Sequence, residues 1–144
     1  MASSTAPHGP VVESRIKVRY AETDAQGVVY HGNYVIWFEV GRTDYCDAAG
    51  YPYAQMEAEG ALTTVIEVHA RYRRSARYGD VVTVKTRMGE RKSRGFTFHY
   101  EVYLPDGTLA VEGETKHLWI DREGRLRRAP DAPQAAFAAF LGGE

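Results

Sequence analysis

From Leu62 to Asp121 the sequence alternates apolar and polar residues with a period of two, in one run after another. Leu62, Thr64, Ile66, Val68, Ala70 and Tyr72 alternate with Val65, Glu67, His69, Arg71 and Arg73. Val82, Val84, Thr86 and Met88 share a face, and Phe96, Phe98, Tyr100, Val102 and Leu104 alternate strictly. Period two sends successive side chains to opposite sides of an extended chain, so each run is a half-buried strand. A turn at Tyr78-Gly79-Asp80 and a charged connection from Gly89 to Gly95 divide the runs. In Pro105-Asp106-Gly107, proline fixes φ and glycine tolerates φ > 0, so the Phe96 run and Thr108–Asp121 form a hairpin.

Ahead of these runs stand one more strand and one long helix. Val12 to Tyr20 alternates, with Ile16, Val18 and Tyr20 on one face and Arg15, Lys17 and Arg19 on the other. Tyr34, Trp37, Phe38, Gly41 and Tyr45 then recur at helical spacing and make one apolar stripe. Asn33 is a favoured N-cap, Gly50 a C-terminal stop, and Pro52 prevents continuation. Gly41 costs roughly 1 kcal/mol of helix propensity relative to Ala, which is understandable where a helix presses closely on a sheet. Tyr53 to Glu59 reads as a short second helix, 121–125 as a turn, and Pro133 to Leu141 as a short terminal helix. One long helix followed by an antiparallel meander is an α+β layout. The only surface large enough to bury the helical stripe is the concave face of that sheet.

The 144 residues are expected to form a single domain over 11–144, with Met1 to Pro10 a flexible polar tail. The formal net charge of −1 gives no sign of a nucleic-acid partner. A single cysteine, Cys46, precludes an internal disulfide and fits a reducing compartment. No run is long enough to cross a bilayer and the first residues lack a signal peptide's apolar centre, so a cytoplasmic protein without membrane insertion is expected.

The chemistry is concentrated between the first strand and the long helix, from Tyr20 to Tyr34. A carboxylate, two glycines and an imidazole are packed into a link that ends at a helix N-terminus, where backbone N–H groups can polarise a carbonyl. The motif Asp24-x-x-Gly27-Val28-Val29-Tyr30-His31-x-Asn33-Tyr34 resembles that of the hot-dog-fold acyl-CoA thioesterases. The nearest likeness is to the subgroup of 4-hydroxybenzoyl-CoA thioesterase and the Tol-Pal-associated thioesterase. It extends, more loosely, from about Ser14 to Asp121.

The resemblance implies a long central helix wrapped by a curved antiparallel sheet of about five strands, assembled as a homodimer or homotetramer. It implies hydrolysis of an acyl-CoA thioester to free acid and coenzyme A. Asp24 would act as nucleophile or as general base on water, and the backbone N–H at His31 would polarise the thioester carbonyl. The His31 ring would orient substrate or tune Asp24. Gly27 and Gly32 would shape the backbone around the ligand, Asn33 would join them in the substrate-binding set, and Tyr30, Tyr34 and Phe38 would line the acyl pocket. No metal or redox cofactor is implied, coenzyme A being part of the substrate.

Coenzyme A carries phosphates, and arginine grips phosphate oxygens bidentately. Arg91, Lys92 and Arg94, in the connection before the Phe96 strand, are the first candidates to hold them, and Arg127 and Arg128 the second. His69, His99 and His117 lie on three strands without metal-ligand spacing and read as structural, and Cys46 has no histidine pattern to activate it. Two rivals stand beside the hydrolase. One is a hot-dog hydratase or dehydratase acting on acyl thioesters, which the Asp24-x-x-Gly27 element disfavours. The other is a non-catalytic protein that binds or senses acyl-CoA. One fold supports all three.

Overall fold

The computed structural model describes residues 9–142, so the expected tail lies outside the described residues except for Gly9 and Pro10. The described residues hold five strands: β1 (Val12–Lys17), β2 (Leu62–Tyr72), β3 (Val81–Arg91), β4 (Gly95–Tyr103) and β5 (Leu109–Ile120). They form one antiparallel sheet in the order β1-β3-β4-β5-β2, with β1 and β2 at its edges. The long helix α1 (Asn33–Ala48) packs its stripe against the inner face, and Tyr34, Trp37, Phe38, Gly41 and Tyr45 are all buried. The helices α2 (Tyr53–Ala58) and α3 (Asp131–Gly142) close the far end, where Phe137 and Phe140 pack against Tyr45. This is the hot-dog arrangement that the motif implies.

Inward-facing side chains follow the expected alternation on β3 and β4: Val82, Val84, Thr86 and Met88 beside Phe98, Tyr100 and Val102, all buried. Two expectations are corrected. The first strand stops at Lys17, because the Glu22 carboxylate accepts the Arg19 N–H and bends Tyr20–Glu22 into a 3₁₀ turn. Tyr20, expected on the buried face, is 77% exposed. On β2 the alternation breaks between Val65 and Glu67, where the register against β5 shifts. The bulge leaves Ile66 outside the pairing and keeps both Val65 and Val68 on the inner face.

The expected close approach at Gly41 is present. A β-carbon there would run into the Thr86 side chain and come 3.1 Å from Val84 Cγ1, both on β3. Gly41→Ala is therefore expected to destabilise the protein by about 1–3 kcal/mol, because overpacking outweighs the gain in helix propensity. Chemical denaturation with an unchanged m-value would show it.

Candidate active site

The Asp24 link is a small hairpin held at three levels. An isolated bridge pairs Thr23 with Val29. Asp24 N–H donates to Val28 O at 2.9 Å, and Gly27 N–H to Asp24 O at 3.0 Å. Asp24 Oδ1 accepts the Gln26 N–H at 2.9 Å, so the carboxylate supports its own turn. Gly27 sits at φ +79°, a left-handed conformation that side chains resist. Among the described residues Asp24 Oδ2 has no hydrogen-bond partner, and the side chain is exposed. One oxygen is anchored and the other is open to a substrate or a water.

The hairpin is tied to its surroundings through its return strand. Val29 N–H donates to Ala76 O and Tyr30 N–H to Glu22 O, each at 2.9 Å. The chain then enters α1 through His31 and Gly32. Among the described residues neither the His31 nor the Gly32 N–H has an acceptor, as expected for the open donors of a helix start. His31 is exposed, its ring between those of Tyr30 (4.4 Å) and Tyr72 (6.0 Å), and its carbonyl accepts the Tyr72 hydroxyl. A β-carbon at Gly32 would stand 2.8 Å from the Tyr30 ring, which would have to swing aside.

Three expected roles change. Asn33 is not a cap: Gly32 holds that position, and the Asn33 amide instead donates to Glu22 O at 2.8 Å. Tyr34 and Phe38 belong to the core, at 2% and 0% exposure, and in the single chain neither presents a pocket wall. The Tyr34 hydroxyl accepts the Ala76 N–H, and Phe38 stacks on Tyr100. The residue not anticipated is Glu22. It is 5% exposed, accepting the Arg19 N–H on Oε1 and the Trp37 indole N–H on Oε2. Burial alone would raise its pKa, but those hydrogen bonds and the Arg19 guanidinium together hold it below the usual value.

The two basic clusters lie together. Ser93 O accepts the Ala129 N–H and Arg94 O the Trp119 N–H, which brings the 127–129 segment alongside the Lys92–Arg94 turn. Lys92, Arg94 and Arg128 are exposed, while Arg91 and Arg127 are partly buried. The Asp24 hairpin is tied to Ala76, ahead of β3, whereas Lys92 follows the last residue of β3, a strand of 11 residues or roughly 35 Å at the rise of a strand.

A cavity of about 320 Å³ opens between α1, α2 and the start of β2, with Glu39, Arg42, Tyr53, Thr63 and His117 among its lining. A larger concavity, about 490 Å³, lies on the sheet's outer face among Lys85, Arg87, His99 and Glu114, and reaches none of the Asp24 loop. The three strand histidines do not converge: His69 and His99 flank Glu114 on that outer face, and His117 is buried on the inner one. Burial pushes the Cys46 thiol up to about 12, in keeping with an inert core cysteine.

Burial, and next the charge of Arg42, pull the His117 pKa down to about 3. The unfolded chain binds a proton here near pH 6.5 and the folded chain does not, so stability falls as pH drops from about 6.5 towards 3. His117→Gln is expected to flatten that stretch of the stability curve, as measured by denaturant midpoints across pH.

The site thus holds an exposed carboxylate on a glycine-shaped turn and open N–H groups at the start of a buried helix that packs on an antiparallel sheet. The chain belongs to the thioesterase-like superfamily, whose family model matches residues 18–140. Acyl-CoA thioesterase YbgC of Haemophilus influenzae is 31% identical over 125 residues, 85% of this chain and 90% of its own length. YneP of Bacillus subtilis is 36% identical over 113 residues, 78% of this chain and 82% of its own. The DHNA-CoA thioesterase of Staphylococcus aureus superposes with a TM-score of 0.85 at 33% identity, covering 93% of this chain and 95% of that one.

Proposed function

We propose that this protein hydrolyses an acyl-CoA thioester to free acid and coenzyme A in a site completed by a second copy of the chain. The observation that carries the reading is the Asp24 carboxylate, with one oxygen held by its own turn and the other open, a few residues before the unpaired N–H groups that start α1. The His31 N–H polarises the thioester carbonyl, and Asp24 attacks it or activates water against it. The reaction requires the carboxylate, the N–H and water.

Two features support a second copy. Asp24 and the basic cluster stand at opposite ends of one chain, too far apart to serve one coenzyme A within it. The edge strand β2 is free on its outer side among the described residues, and it flanks an apolar patch of Ile36, Val40, Val65, Val68 and Tyr72, from 38% exposed at Val40 to 52% at Ile36. An open edge beside such a patch invites pairing. Antiparallel β2–β2 pairing about a two-fold axis would bring the basic end of one chain to the Asp24 end of the other. Lys92, Arg94, Arg127 and Arg128 then hold the phosphates, with Arg91 behind them. The cavity beside Arg42 and Thr63 then faces the Asp24 hairpin of the other copy and takes the acyl group, with the Tyr30 of that same hairpin at its mouth.

Free-thiol release from benzoyl-, short-chain and long-chain acyl-CoAs tests the reading, with a substrate-free control for Cys46. Turnover of any member supports hydrolysis and names the acyl class. Binding of acyl-CoA without turnover across the panel would leave a sensor or carrier in its place.

A further inference from the structure

We infer that Glu22 is a positioning residue of this site, a buried carboxylate that clamps the Asp24 hairpin to α1; the inference rests on the hydrolase reading above. Four bonds converge on it from both sides of the site. Oε1 takes the Arg19 N–H at 2.8 Å, ahead of the hairpin, and Oε2 takes the Trp37 indole N–H at 2.9 Å, one turn into the helix. The Glu22 carbonyl takes the Tyr30 N–H at 2.9 Å, at the hairpin's return, and the Asn33 amide at 2.8 Å, at the helix start. Asp24 and His31 are therefore both held from one residue, although Glu22 does not reach the reacting atoms.

The choice of residue follows from the donors. Two N–H groups arrive at separate oxygens, and a carboxylate accepts both, whereas an amide accepts one and turns its own N–H₂ against the other. Trp37 lies in the core at 1% exposure, so its indole N–H has no water to fall back on. A charge so buried persists only because these bonds compensate it. Loosening the clamp frees the Asp24 carboxylate and the His31 N–H to move relative to one another. A misplacement of about 1 Å is enough to cost on the order of a hundredfold in rate.

The test is a double-mutant cycle on thioester turnover with Glu22→Gln, Trp37→Phe and both together. Each single variant is expected to lose kcat by about tenfold or more with KM changed less than about threefold, since the substrate's binding groups are untouched. Because the two residues share one contact, the double variant is expected to lose little more than the worse single one. Met88→Ala, a buried truncation on β3 remote from the hairpin, serves as control and should lower Tm while leaving kcat unchanged. Losses that multiply, or a kcat that follows Tm in the control, would overturn the positioning role. Amide exchange supplies an arm independent of turnover. The Val29 and Tyr30 amides should exchange about tenfold faster or more in Glu22→Gln while those of β3 and β4 hold. Unchanged exchange there sinks the clamp even in an active enzyme. Faster exchange in a protein without turnover keeps the clamp and sinks only the hydrolase.

Discussion

Asp24→Asn lowers thioester turnover by a hundredfold or more and leaves the melting temperature nearly where it was. The two halves of this expectation come from the two oxygens of one side chain. Oδ1 supports the turn by accepting the Gln26 N–H, and the carbonyl oxygen of asparagine reproduces that bond. The open Oδ2 is replaced by an N–H₂ group that is neither a base nor a nucleophile. General-base assistance is worth about 10²–10⁴ in rate, so the lost barrier stabilisation is about 3–5 kcal/mol. Because the side chain is exposed, no buried group is left unsatisfied by the change. Activity measured by thiol release and stability measured by thermal melting should separate cleanly. A parallel fall in both would reduce Asp24 to a turn-former.

The second large effect is expected from Val68→Asp, which should convert the assembly to monomers and abolish turnover with Asp24 untouched. Val68 is on the inner face of the edge strand β2, 42% exposed in the single chain, among the apolar side chains that the second copy would cover. A carboxylate placed there twice across a two-fold axis is desolvated against its own copy. In the lone chain the same position is open to water, so folding continues. Light scattering during gel filtration reads the mass, and acyl-CoA titration reads the accompanying loss of affinity. A monomer that retains full turnover would place the whole site within one chain.

Much of the fold was legible in the sequence because it rests on periodicity. The inward faces of β3 and β4, the stripe of α1 and the tight approach at Gly41 all follow from patterns of two and of 3.6 residues. The misreadings occur where a local hydrogen bond or a bulge overrides the pattern. Tyr20 continues the alternation of β1, yet the Glu22 carboxylate draws the Arg19 N–H into a turn and sends Tyr20 to solvent. Val65-Ile66 continues the alternation of β2, yet a bulge resets it. Asn33 has the composition of a cap, but Glu22 O offers its amide an acceptor one position after the cap.

Of the site, the motif located the Asp24 turn and the helix start, since glycine and aspartate have stereochemical reasons to be there. It did not show Glu22, because a charged residue in a polar stretch reads as solvated. The one signal was indirect: Trp37 lies on the buried stripe and its indole N–H needs an acceptor. Nor did sequence separation show that β3 separates Lys92 from the Ala76 tie of the Asp24 hairpin, while the backbones of Ser93 and Ala129 meet. Strand length and hairpin return decide both.

The shared site is tested most directly by mixing two inactive proteins. Asp24→Asn lacks the carboxylate, and Lys92→Glu/Arg94→Glu lacks the phosphate grip. Unfolded together in equal amounts and refolded, half of the dimers are mixed, and one of the two sites in each mixed dimer combines an intact Asp24 with an intact basic end. Thiol release should therefore return to about a quarter of the wild-type value. Activity no greater than the sum of the separately refolded variants would contradict a site built from two chains.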